Sequence, residues 1–182
     1  MAKLLTPTYD FSPPLPTGRL FFETLTGFNY PQLLNMFGHD PSPFVSEKFK
    51  TLGHLTKYVA FLLGRLRFSQ TAAGCDFLIR CRNTEAYVGV LHLYDLSPKE
   101  DEAGRKTCTV GFAVAWPHRQ KGYAFEALSQ LLRHLQQNLD RQEVRAYTDS
   151  MNIAAQRLLA KVGFQALNPT EKPRQAFLKS LS

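Results

Sequence analysis

The stretch from Lys106 to Gln137 constrains the fold more than any other part of the chain. It opens with Thr107–Ala115 (TCTVGFAVA), an apolar, β-rich run that reads as a buried strand. Trp116, Pro117 and His118 break it, because Pro117 lacks the amide that a central sheet ladder needs. After Arg119–Ala124 (RQKGYA), Ala124, Ala127, Leu128, Leu131, Leu132, Leu135 and Leu139 recur at spacings of three and four, the stripe of an amphipathic helix. Strand, basic glycine-bearing turn and helix together make a phosphate cradle. The first helical amides have no internal partner, and the positive end of the helix dipole lies there. Gly122 lets a ligand approach the backbone, Ala124 keeps the next turn clear, and Arg119 and Lys121 add positive charge. The bland alternative is a stable strand-turn-helix with a solvated basic turn.

The flanking sequence supplies a single layered domain around that unit. Residues 1–17 carry prolines at 7, 13, 14 and 16 without an apolar period and read as an extended arm; residues 18–182 form the folded domain. Gly18–Leu25 alternates as a first strand, and a short helix begins near Pro31. Gly38–Pro43 reads as a loop. A longer helix starts at Ser46 or Thr51, with an apolar face from Leu52 to Leu66. Gln70–Gly74 is a polar turn, and Cys75–Cys81 with Ala86–Tyr94 read as a hairpin in which Gly89 marks a close approach or a bulge. Ser97–Arg105 is a charged loop. Glu143–Asp149 is a strand, and Ile153–Val162 a short helix closed by Gly163. Phe164–Leu167 and Arg174–Lys179 can pair as a last hairpin across Asn168–Pro173. Mixed strands and helices with one parallel crossover give an α/β layered sheet.

Composition narrows the function. A chain of 182 residues with 44% hydrophobic and 20% charged content is an ordinary globular one. No apolar run approaches bilayer length, and the first residues lack the core of a signal peptide, so a cytoplasmic protein is expected, with no membrane partner. Three cysteines argue against a disulfide framework, and Cys75 and Cys81 stand about 20 Å apart if their strand is real. The five histidines do not pair at metal-ligand spacing, so no metal is expected. The net charge of +7 is spread without blocks, which argues against a nucleic-acid reading and is consistent with a polyphosphate cofactor or with a substrate on the ribosome.

Arg119-x-x-Gly122-x-Ala124 resembles the R/Q-x-x-G-x-G/A loop of the GNAT N-acetyltransferase superfamily. Phe112-Ala113-Val114 resembles its splayed central strand, and the run from Thr107 to Phe164, with Asn152 and Gly163-Phe164, is similar to the RimJ/RimL branch. Arg19-Leu20 with Leu25, and Gly89 in its strand, are similar to that branch more faintly. The resemblance implies a GNAT fold: a mixed, mostly antiparallel seven-stranded sheet flanked by about four helices, of α+β type. It implies acetyl-CoA as co-substrate and direct attack by a primary amine, a protein N-terminal α-amine ranking first and a small-molecule amine second. A homodimer is compatible with it. It maps Phe112 and Val114 onto pantetheine, Arg119, Gln120, Lys121, Gly122, Tyr123 and Ala124 onto the pyrophosphate, and Asn152 beside the pantetheine arm, where it can also cap a helix.

Acyl transfer needs a base for the amine, donors for the oxyanion and a route for the leaving thiolate. The hydroxyls that the family places four residues before Gly163-Phe164 and three after Asn152 are Leu159 and Ala155 here. Ser150 or Tyr147 are substitutes for protonating the thiolate, or solvent does so. His92, Asp149, Glu126 and Tyr94 are the candidate bases; His92 has the best-placed intrinsic pKa, and Glu126 can equally serve the helix dipole. Cys108 reads as inert packing. The rival reading is a non-catalytic module that holds CoA or an acyl-CoA, which the missing hydroxyls keep open; a poorer one is a nucleic-acid-binding domain.

Overall fold

The computed structural model describes residues 13–68, 74–96, 104–167 and 174–181. Among them a seven-stranded sheet runs in the order β1-β2-β3-β4-β5-β7-β6. The strands are β1 (Leu20–Thr24), β2 (Gly74–Cys81), β3 (Tyr87–Tyr94), β4 (Thr107–Val114), β5 (Glu143–Asp149), β6 (Gln165–Ala166) and β7 (Arg174–Ser180). The helices are α1 (Pro31–Phe37), α2 (Leu52–Phe68), α3 (Tyr123–Asn138) and α4 (Ile153–Lys161), with 3-10 turns at Glu47–Phe49 and Trp116–His118. Only β4 and β5 pair in parallel, joined by α3; the other pairings are antiparallel. Ser46 and Thr51 both prove to be starts, of the 3-10 turn and of α2 respectively.

Strand alternation sends side chains to two cores. On one face Phe77, Ile79, Leu91, Leu93, Val110, Val144 and Ala146 pack against α3, which buries Ala127, Leu128, Leu131, Leu132 and Leu135. Each such leucine contributes about 1.5–3 kcal/mol of burial, so the stripe anchors the helix whose first turn forms the cradle. On the other face Leu78, Val90 and Ala115 pack against Leu33 and Phe37 of α1, Leu55 and Val59 of α2, and Phe49.

Gly89 is both a close approach and the neighbour of a bulge. The β2–β3 register shifts between Ile79 and Arg80, and a Cβ on Gly89 would stand 2.5 Å from the Ala113 carbonyl oxygen. Gly163 follows α4 at φ +89°, as a left-handed helix end requires. The three cysteines are free, with Cys75 and Cys81 near opposite ends of β2, and burial pushes the Cys108 thiol up to about 12. The arm is tied to the body at its last residue: the Arg82 guanidinium donates to the Thr17 carbonyl at 2.9 Å. Residues 1–12, the expected turn before Gly74, most of the loop before Arg105 and the tip of the last hairpin lie outside the described residues.

Candidate active site

The central strand corrects one expectation. Thr107–Ala115 is not buried throughout: Cys108, Val110 and Ala115 are, but Gly111 to Val114 are only half-buried. The cause is a parting of strands. β4 pairs with β5 from Thr107↔Glu143 to Val110↔Ala146 and no further, whereas its pairing with β3 continues to Gly89↔Val114. The Ala115 amide donates to the Val88 carbonyl at 2.9 Å, which fixes the alternation along β4. Gly111 and Ala113 therefore turn their backbone groups to β3, and Phe112 and Val114 turn theirs to the open edge.

That edge leads into the turn before α3. Gln120 (φ 61°) and Gly122 (φ 80°) are left-handed, and the first helical bond runs from the Glu126 amide to the Gly122 carbonyl at 3.1 Å. The amides of the preceding turn have no helical acceptor, and no side chain caps the helix. Lys121 and Gly122 are exposed, and Tyr123 and Ala124 half-buried.

Arg19 and Glu126 shape this turn. The Arg19 guanidinium donates from Nε to Glu126 Oε2 at 2.6 Å and from Nη1 to the Lys121 carbonyl at 3.0 Å, and it lies 5.1 Å over the Tyr123 ring. Because a peptide is planar, a Lys121 carbonyl held toward Arg19 turns the Gly122 amide the other way. The Arg19 amide and the Thr17 hydroxyl also donate to Glu126. Burial pushes the Glu126 carboxyl up, but the hydrogen bonds from Thr17 and Arg19 outweigh it and hold it low. Arg119 faces inward as well: Nε donates to the Val114 carbonyl at 3.0 Å and Nη2 meets buried Asp40 at 2.6 Å. The structure thus brings Phe112, Val114, Gln120, Lys121, Gly122 and Ala124 together along one path, while the side chains of Arg119, Tyr123 and Glu126 brace it from behind.

The other candidates fall in two places. Asp149 Oδ1 accepts from the Met151 amide at 2.8 Å in the turn that contains Ser150, and Asn152 caps α4 by accepting from the Ala155 amide at 3.1 Å. Tyr147 is half-exposed on β5, and Leu159 is buried in the α3-side core. His92 lies opposite Gly111, where β4 leaves β5, and Tyr94 lies opposite Thr109, two residues along. A Cβ on Gly111 would stand 3.5 Å from His92 Cδ2 and 3.6 Å from Tyr94 Cε2, so the strand passes these rings with no side chain between.

His92 belongs to a buried polar group that sequence reading misses. Its Nδ1 is 2.8 Å from Asp76 Oδ1, an ion-pair distance whose angles fall outside a well-aligned hydrogen bond. Its ring is stacked between Phe49 (5.5 Å, 13°) and Tyr94 (5.7 Å, 17°). Asp76 is 2% exposed and accepts from the Tyr58 hydroxyl at 2.5 Å. Burial and the Asp76 charge raise the pKa of Tyr58 and of Tyr94. The one sequence signal for Asp76 is a carboxylate in an otherwise apolar strand.

A family model for the acetyltransferase (GNAT) domain matches residues 19–165. The chain belongs to the GNAT acetyltransferase family. No curated protein matches it by sequence. Among solved structures, the ribosomal-protein-S5-alanine acetyltransferase of Vibrio fischeri is 13% identical, with a TM-score of 0.71 over 93% of this chain and 97% of that one. An acetyltransferase from Agrobacterium tumefaciens is 18% identical (TM-score 0.67, covering 93% and 95%). The spermidine/spermine N-acetyltransferase of Vibrio cholerae is 12% identical (TM-score 0.65, covering 89% and 92%). At these identities the likeness is one of fold, which agrees with the GNAT sheet and helices expected from the sequence. Acetyl-CoA is the co-substrate that the family implies. The backbone fits it: an open strand edge for an amide-bearing arm, and an uncapped helix start for a pyrophosphate.

Proposed function

We propose that this GNAT protein transfers acetyl from acetyl-CoA to a primary amine, with the cofactor's arm along Phe112 and Val114 and its pyrophosphate on the turn from Gln120 to Ala124. The parting of β4 from β5 beyond Val110 carries the reading, because it turns the Phe112 backbone groups and the Val114 amide to an open edge in the middle of the sheet where a ligand can pair them, the Val114 carbonyl being held by Arg119. Bound there, acetyl-CoA supplies an activated thioester. The Phe112 and Val114 amides orient it, and the amides near Gly122 meet the phosphates without a formal cation. Lys121 adds charge from solvent.

His92 receives the amine's proton. It is on the α1/α2 face beside Gly111, and Asp76 holds its ring and stabilises the charge it gains. Glu126 and Asp149 are positioning residues, since their oxygens already serve Arg19, Thr17 and the Met151 amide. Tyr147 shares the His92 face across the gap and is the group we assign to meet the leaving thiolate, with Ser150 at the end of the same strand. The acceptor is a primary amine, for which the RimJ/RimL resemblance favours a protein N-terminus; acceptors as different as a ribosomal protein and spermidine appear in the names of its fold neighbours. The missing hydroxyls at Leu159 and Ala155 keep open the rival reading of a CoA-holding module, which thiol release decides. Amide NMR on CoA addition tests the site itself: shifts at Phe112, Val114 and Gly122–Ala124 are expected, and shifts confined elsewhere would refute the assignment.

A further inference from the structure

On the α1/α2 face, aromatic rings close around a cation that belongs to the chain itself. Lys48 Nζ lies 3.8 Å from the Tyr58 ring centroid, 4.8 Å from that of Phe49 and 6.0 Å from that of Tyr94. Beneath the rings is the Asp76 carboxylate, 2% exposed, bonded to the Tyr58 hydroxyl and paired with His92. Ring faces and a buried carboxylate are the combination that holds an alkylammonium in low dielectric. The floor of this cage is made by Tyr94 and His92, the two side chains under Gly111, so a guest in it sits beside the open edge of β4.

Lys48 reaches the cage from a 3-10 turn of three residues, Glu47–Phe49. Its neighbour Lys50 pairs with Glu47 at 2.9 Å on the outside of the same turn. A lysine on so short an element is easier to withdraw than one on a strand or a long helix, because few hydrogen bonds hold its backbone.

We propose that the Phe49–Tyr58–Tyr94 cage over Asp76 and His92 is the ammonium subsite for the acceptor, and that Lys48 fills it as a stand-in for a flexible alkyl primary amine. The proposal rests on the acetyl-transfer reading and names its acceptor class. Lys48 enters with an unbranched methylene stem, which fits between flat rings. An N-terminal α-amine carries a backbone carbonyl, and in all but glycine a side chain, on the carbon next to its nitrogen, so the cage selects an alkylamine against the ranking that the RimJ/RimL resemblance gives. The cage also does to Lys48 what an acceptor needs: burial lowers the Lys48 pKa against the opposing Asp76 charge, so an amine held there sheds its proton more readily. The same chemistry is offered by a free alkylamine and by a lysine side chain of another protein.

Calorimetric titration of the protein and of Lys48→Ala, without acetyl-CoA, tests this with n-butylamine, Nα-acetyl-lysine methylamide and alanylglycine amide as probes. Emptying the cage is expected to tighten n-butylamine or the lysine derivative by about tenfold or more, and Tyr58→Leu in the same background is expected to abolish the gain. The tighter of the two names the source, a free amine or a lysine side chain. No gain for either, a gain that survives Tyr58→Leu, or a gain for the α-amine probe alone would overturn the proposal. Lys48→Ser, which likewise removes both the stem and the charge, replaces Lys48→Ala if the latter does not fold, and Tyr94→Leu likewise replaces Tyr58→Leu. These titrations contain no acetyl donor, so they stand or fall apart from the transferase reading, which thiol release tests.

Discussion

Glu126 and His92 are both ionisable and both close to the path of β4, yet on the proposed reading their surroundings suit them to opposite tasks. Glu126 is held by the Thr17 hydroxyl, the Arg19 amide and the Arg19 guanidinium, and is kept ionised. Losing these charge-assisted bonds in Glu126→Gln is expected to destabilise the fold by about 1–3 kcal/mol at pH 7. Its pKa is lowered in the folded state, so its contribution is complete above the unfolded-state value and fades as pH falls through the folded one. Urea denaturation at neutral and acid pH checks this: the gap between native and Glu126→Gln should shrink in acid, and a constant gap would contradict it. For His92 the expected effect is on rate. His92→Gln should lower kcat by about 10²–10⁴-fold while calorimetry shows CoA affinity unchanged, and Asp76→Asn should lower it by less. A His92→Gln variant with normal kcat would remove His92 from the chemistry.

At the scale of elements, two glycines and one alanine divide structure from site. Gly89→Ala forces a Cβ against the Ala113 carbonyl and should cost about 1–3 kcal/mol by thermal or chemical denaturation. Gly111→Ala meets only ordinary van der Waals distances, so it should fold normally and raise the amine KM by crowding His92 and Tyr94. Equal effects of the two on stability would contradict the register of β3 on β4. Gly122 is a poor probe of the cradle, since its φ of 80° strains any other residue. Ala124→Glu is a better one. An acidic side chain in a first turn suits the helix dipole, so α3 is retained, while like charge beside the phosphates should weaken CoA by more than about 100-fold. Retained CoA affinity would rule out the turn as the phosphate site.

Over the whole molecule, what was legible in the sequence was what is locally periodic. The α3 stripe, the β2–β3 hairpin, the Pro31 start and the Gly163 stop each show in a window of a few residues. The parting of β4 and β5 does not, because it depends on which strands run side by side, and Phe112 to Val114 look as apolar as the residues before them. Nor do the long-range bonds: Arg19 and Glu126 are 107 positions apart, and Tyr58 and Asp76 are 18 apart across a helix and a strand. The family loop was therefore readable, while the roles of Arg119 and Glu126 as braces and of Asp76 as partner to His92 required the fold. The net charge of +7 acts at this scale too. It should make CoA association slow and weaken as salt rises from about 0.05 to about 0.5 M.

Thiol release by the purified protein with acetyl-CoA and a panel of alkylamines, lysine derivatives and N-terminal peptides, with calorimetry of acetyl-CoA alongside, tests the assignment most directly. Saturable binding together with amine-dependent release of CoA is the predicted result. Binding with no release from any amine in the panel would contradict the catalytic role, and no binding at all would remove the site between Phe112 and Ala124.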